Sequence, residues 1–148
     1  YLRTLKVPLQ RNATDADVVT GKQTFLKVGC GGCHTPEWTT AQSDISVLSN
    51  QTFAPYTDLL LHDMGKGLDD GYTEGIAKTS EWRTPPLWGL GLSKNSQGGQ
   101  LFLLHDGRAR SVDAAIRMHG GEATKAVAAY IRLTAIEREQ LLLFLDSL

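Results

Sequence analysis

Two cysteines three residues apart, followed at once by a histidine, form the most chemically loaded stretch of the chain: Gly29-Cys30-Gly31-Gly32-Cys33-His34. This C-x-x-C-H spacing is that of c-type haem attachment. Two thiols so spaced reach the two vinyl groups of a porphyrin and form thioether bonds. The next residue presents its imidazole to the iron as an axial ligand. Its other ring nitrogen commonly donates to a backbone carbonyl, which fixes the tautomer. Two rival chemistries fare worse. A thioredoxin-like redox pair belongs in a βαβ pattern, which is absent. A zinc site would draw on Cys30, Cys33 and two of His34, His62, His105 and His119, but there is no second closely spaced ligand pair. The expected cofactor is therefore one haem c with its iron, bound covalently through Cys30 and Cys33 and ligated by His34.

Helices must position that motif. Thr14 or Asp15 caps a helix that carries Val18, Val19, Phe25 and Leu26 toward a core and ends near Gly29. Gly29, Gly31 and Gly32 suit close approach to a flat cofactor. Residues 35–111 show no long periodic segment and hold four of the five prolines. Loops this long fit a compact domain when they wrap a large apolar cofactor that supplies missing core. Ser111 caps a short helix through Val112, Ala115, Ile116 and His119, and an amphipathic helix spans 122–133. Thr134 and Glu137 form a capping box, after which Ile136, Leu141, Phe144, Leu145 and Leu148 make an apolar face. A small hairpin is expected around 101–104. The expected fold class is all-α: a cytochrome c-like helical domain over 1–148, with an irregular lead-in at 1–13 and long loops around one haem.

The composition of the 148 residues, 41% hydrophobic with a formal net charge of -1, is that of an ordinary globular domain. No basic run suggests nucleic acid. The longest apolar runs, such as Leu141-Leu142-Leu143-Phe144-Leu145, fall far short of a membrane span. The chain opens on Tyr1, which leaves a removed targeting segment or a longer parent chain as alternatives. Both cysteines lie in one motif, so no disulfide framework marks the compartment. Haem attachment occurs outside the cytoplasm, which implies a periplasmic or otherwise exported protein.

Further segments carry a resemblance. Glu81-Trp82-Arg83-Thr84-Pro85-Pro86-Leu87-Trp88 and His105-Asp106-Gly107-Arg108 resemble the bacterial dihaem cytochrome c peroxidase superfamily. Asp58-Leu59-Leu60-Leu61-His62-Asp63-Met64-Gly65 and His119-Gly120-Gly121-Glu122-Ala123 are similar to a branch labelled dihaem oxidoreductase or thiol oxidoreductase. The likeness runs from about Gly21 to Leu148. That family has two haem domains and this chain has one C-x-x-C-H, so it resembles the C-terminal half. The resemblance implies an electron-transfer haem, with substrate reacting at the other one; no catalytic residue is expected here. It implies as partner a second haem domain or a redox protein. The alternative is a peroxidase-like enzyme reacting at this haem.

Met64, Met118, His62, His105 and His119 are candidates for the sixth iron ligand. In the relatives that residue closes the short helix after the H-D-G segment, which implies His119. Met64, in a loop as in simple cytochromes, is the runner-up, with packing against the haem face as its other reading. His62 and His105 suit hydrogen bonding around the haem. Arg83, Arg108 and Arg110 are candidates for the haem propionates, since guanidinium binds carboxylates bidentately, and Trp82 or Trp88 could donate an indole N–H. The acidic residues, among them Asp58, Asp63, Asp69 and Asp70, form no recognised calcium loop.

Overall fold

The strongest helix signals lie at the two ends of the chain, and those helices pack on each other. The computed structural model describes residue 3 and residues 5–148, so residues 1, 2 and 4 of the expected lead-in lie outside the described residues. Helix α1 (Ala16–Lys27) starts at Asp15, whose Oδ1 accepts from the N–H groups of Asp17 and Val18. Helix α5 (Ala135–Ser147) starts with the expected capping box between Thr134 and Glu137. Their shared interface buries Val18, Phe25, Leu141, Phe144 and Leu145, each such side chain contributing about 1.5–3 kcal/mol. At the crossing, a Cβ on Gly21 would lie 2.0 Å from the Gln140 carbonyl oxygen, so the approach requires glycine.

α5 covers only one stripe of α1. Val19 and Leu26 flank that stripe and are 42% and 45% exposed, against expectation. Ile136 lies outside the covered face of α5 and is likewise exposed. Tyr56, from the loop region, completes the core. Its ring packs at 6.0 Å from Phe25 and 5.6 Å from Phe144, which are themselves 5.4 Å apart.

Between these helices lie α2 (Ser93–Ser96), α3 (Val112–Met118) and α4 (Thr124–Ile131). Ser111 caps α3 as expected, accepting from the Ala114 N–H. α4 is shorter than the expected 122–133, because a 3₁₀ turn (Gly121–Ala123) precedes it. The Tyr130 hydroxyl donates to Asp113 Oδ1 at 2.6 Å and ties α4 to α3.

The all-α expectation is corrected here. The chain is mixed, 41% helix and 8% strand. β1 (Trp38–Thr39) pairs antiparallel with β2 (Thr52–Phe53), and β3 (Leu61–Asp63) with β4 (Glu81–Arg83). Long loops packed over a cavity must still satisfy their peptide groups, and these do so by pairing with each other. Strands of two or three residues have no period for a sequence to display. The expected hairpin at 101–104 is reduced to a single bridge, Leu103 to Ala109. Among the described residues no helix is long and apolar enough to cross a membrane.

Candidate functional site

The C-terminus of α1 delivers the C-x-x-C-H turn. Gly29 takes φ 97°, a conformation that suits glycine, and opens a 3₁₀ turn (Cys30–Gly32). The His34 N–H then bonds back to the Cys30 carbonyl at 3.0 Å. Cys30, Cys33 and His34 all line a cavity of about 480 Å³, within the usual range for a bound small molecule or cofactor. Phe25, Leu87, Leu90 and Ile116 give it an apolar lining.

Neither thiol is bonded to the other. Burial pushes the Cys30 thiol up to about 11, and burial, then Asp58 and Glu122, raises Cys33. A redox-active C-x-x-C needs the opposite, a stabilised thiolate. Cys33, Asp58 and His62 do converge within 4.8 Å. Both His62 nitrogens, however, face carboxylates at 2.8 Å, Asp58 Oδ2 and Glu122 Oε2, so no imidazole lone pair is left for a metal.

Two imidazoles among the remaining donors are fixed by hydrogen bonds of the same kind. His34 Nδ1–H donates to the Tyr56 carbonyl at 3.0 Å, and His119 Nδ1–H donates to the Ala115 carbonyl at 2.7 Å. A carbonyl only accepts, so each ring must carry its proton on Nδ1 and leave the Nε2 lone pair free. Both residues line the cavity. Burial holds both imidazoles below the ordinary histidine pKa; for His34 the carbonyl contact opposes this and the neighbouring His119 adds to it. Two neutral, oriented imidazoles, two thiols at vinyl spacing and an apolar lining fit a haem.

Tyr56 takes a positive φ of 53°, a strained choice for an aromatic residue, with its ring fixed in the core. That arrangement aims its carbonyl at His34, and nothing in the sequence signalled it. The Ala115 carbonyl had a signal, because it stands one helical turn before His119.

The other expected residues divide. Arg83 and Trp88 line the cavity; Arg83 finds no carboxylate partner among the described residues, and Trp88 packs on Phe53. Arg108 does not line it. Its guanidinium is held by Asp106 and by the Gly67 carbonyl at 2.8 Å, so it joins two loops. Arg110 stacks over the Phe102 ring, 3.9 Å from the centroid. Met64 lines the cavity, whereas Met118 is 40% exposed and does not. His105 lines it too, stacked on Trp82 with centroids 3.6 Å apart, while the Trp82 indole N–H donates to the Leu68 carbonyl.

None of the curated proteins matches the chain. Among solved structures, a chain of hydrazine synthase from Kuenenia stuttgartiensis, studied under 20 bar xenon, is similar with a TM-score of 0.54 and 21% identity. The match covers 100% of this chain and 52% of that one, so this chain spans about half the length of its structural neighbour. At that identity the likeness is one of fold. The model of the family described as "Di-haem oxidoreductase, putative peroxidase" matches residues 1–148. The chain therefore belongs to the di-haem oxidoreductase family, which supports a haem-based redox function.

Proposed function

We propose that this chain is the electron-transfer domain of a two-haem oxidoreductase, carrying one covalently bound haem c. Cys30 and Cys33 would hold the haem through thioether bonds, with His34 and His119 as the two axial ligands. One observation carries the reading: two imidazoles in one cavity, each with Nδ1–H fixed on a carbonyl and Nε2 free. When bound, the haem supplies a one-electron iron couple.

The chain's residues set the properties of that couple. The Tyr56 and Ala115 carbonyls orient the ligand rings and increase their basicity. Phe25, Leu87, Leu90 and Ile116 keep water from the cofactor faces. Arg83, at the cavity edge without a carboxylate partner, is suited to a haem propionate. Two imidazole ligands favour the reduced state less than a thioether does, so the expected potential is low for a c-type haem. With His34 and His119 both holding the iron, substrate would have no place at it. Reaction would occur at the second haem of the family, in a domain or partner beyond these residues. Covalent attachment supports an exported, periplasmic setting.

The rival reading, peroxidase-like chemistry at this haem, requires an open or easily displaced sixth position. The magnetic and optical spectra of the ferric, haem-loaded protein separate the two. A low-spin species with two imidazole ligands, converted to another form in His119→Ala, is the expected result. A high-spin ferric spectrum in the unsubstituted protein would replace the electron-transfer reading with the enzymatic one.

A further inference from the structure

Two of the segments that resemble the family, 58–65 and 119–123, are far apart in sequence and interlocked in space. Glu122 joins them. Its Oε2 accepts from His62 Nδ1 at 2.8 Å, and its Oε1 accepts from the Asp63 backbone N–H at 3.0 Å. His62 is held from its other side by Asp58 Oδ2 at 2.8 Å, and Asp58 Oδ1 in turn accepts from the Leu60 N–H. The backbones press together beneath these bonds. A Cβ on Gly121 would lie 2.0 Å from the Asp63 carbonyl oxygen, and one on Gly120 would lie 2.8 Å from the Met64 carbonyl oxygen. The strand behind them is fixed as well, because His62 sits opposite Trp82 in the β3–β4 pair.

This contact bears on His119, which precedes the interlocked turn by one residue. The ring of His119 is anchored on its helical side by the Ala115 carbonyl. On the other side its backbone is set by where residues 120–122 dock. Met64, a second residue with a soft metal-binding atom, lines the same cavity and directly follows β3, the strand on which Glu122 docks. The arrangement thus brings two potential ligands to one cavity, with the Met64 carbonyl against Gly120, the residue after His119.

We propose that Glu122 is a positioning residue that, by bracing the turn after His119 against His62 and Asp63, keeps His119 rather than Met64 at the iron. The inference rests on His119 as the second axial ligand. Removing the carboxylate frees the Asp63 N–H and one His62 nitrogen and leaves the turn held against this segment by the glycine contacts. His119 then spends part of its time off the iron, and the Met64 thioether takes its place.

The test uses the haem-loaded protein and reads ligand identity from the electron paramagnetic resonance of the ferric form, together with the midpoint potential. Glu122→Ala is expected to add a second low-spin signal with thioether ligation and to shift the potential upward, since a thioether raises it. Met64→Leu in the Glu122→Ala background should abolish both changes. Glu122→Gln keeps an oxygen for the Asp63 N–H and should restore most of the original signal; Glu122→Leu, which keeps bulk but offers no acceptor, gives the reading if the alanine variant does not retain haem, with the same second signal expected. Glu139→Ala, an exposed charge on α5, should change nothing. A Glu122→Ala protein with the parent signal and potential, alongside a His119→Ala protein that has lost them, overturns the positioning role and leaves the ligand assignment standing. A His119→Ala protein with the parent signal overturns both.

Discussion

The two histidines at the cavity are held by different means. His34 stands on a wall of helices: α1 leads into it, and the carbonyl that orients it belongs to Tyr56, whose ring is sealed between Phe25 and Phe144. His119 closes α3, whose Ala115 carbonyl orients its ring, but the turn beyond it rests on a wall of loops, where glycine contacts, a two-stranded pair and the carboxylate of Glu122 fix the backbone. Both rings end up with Nδ1–H on a carbonyl. The lesson is that one ligand geometry arises from apolar burial on one side and from directional polar bonds on the other. Damage to the first wall should therefore register as lost stability, and damage to the second as altered ligation.

The largest expected effect is on the helical wall. Phe144→Ala removes a fully buried ring that touches both Phe25 and Tyr56. Replacing a buried Phe with Ala costs about 3–5 kcal/mol, which denaturant unfolding of the haem-loaded protein would measure. A cost below about 1 kcal/mol would mean that the cofactor, and not this cluster, holds the fold.

A matched pair of glycine substitutions breaks the comparison more sharply. Gly21→Ala and Gly121→Ala each place a Cβ 2.0 Å from a backbone oxygen, of Gln140 and Asp63 respectively. In the first case two helices must part, and overpacking of that kind costs about 1–3 kcal/mol. In the second a loop must move, with a further ~1–2 kcal/mol for a side chain at the left-handed φ of 51°. Gly21→Ala is expected to lower the melting temperature and keep the ferric spectrum, whereas Gly121→Ala should change the spectrum first. Equal melting losses with unchanged spectra in both would erase the distinction between the walls.

The same division explains what could be read from the sequence. The end of α1 beside the C-x-x-C-H turn, the Ser111 cap, the capping box at Thr134 and the core positions Phe25, Leu141, Phe144 and Leu145 are local or periodic signals, and each stands where expected. Val19, Leu26 and Ile136 fit the period yet face outward, because periodicity marks an apolar arc and the partner helix covers only part of it. The loop wall was legible as motifs but not as contacts. Glu122 meets His62 across 60 positions, and no propensity encodes a bond of that span. Arg108 looked like a propionate ligand by its type, but its guanidinium is taken by Asp106 and Gly67. The strands were missed, and with them the mixed fold class, because the pairing of β3 with β4 depends on what two loops need from each other.

A smaller effect belongs to the start of α5. Thr134→Ala removes the oxygen that accepts from the Glu137 N–H at 3.2 Å and is expected to cost about 1 kcal/mol, as loss of an N-cap does. The ferric spectrum should not change, since α5 supplies packing and not a ligand. A spectral change here would show that the two walls are more tightly coupled than their contacts indicate.

The smallest effect concerns pH. His62 is raised above its ordinary value of 6.5, first by the Glu122 carboxylate and then, against the cost of burial, by Asp58. The folded state thus holds its proton more tightly than the unfolded chain. Where the unfolded chain has lost that proton and the folded state has kept it, folding stability falls as pH rises. The contribution is fully present below pH 6.5 and is lost as pH climbs through the raised value. Asp58 and Glu122 are both lowered and stay ionised throughout this window. His34 and His119 are both lowered by burial, so they act with the opposite sign and lose stability as pH falls through and below the ordinary 6.5. A shallow decline in unfolding free energy as pH climbs above 6.5 is therefore a property of the loop wall, and His62→Gln should flatten it. If the decline persists in His62→Gln, the slope has another origin and the His62–Glu122 bond carries no charge-dependent share of the wall's stability.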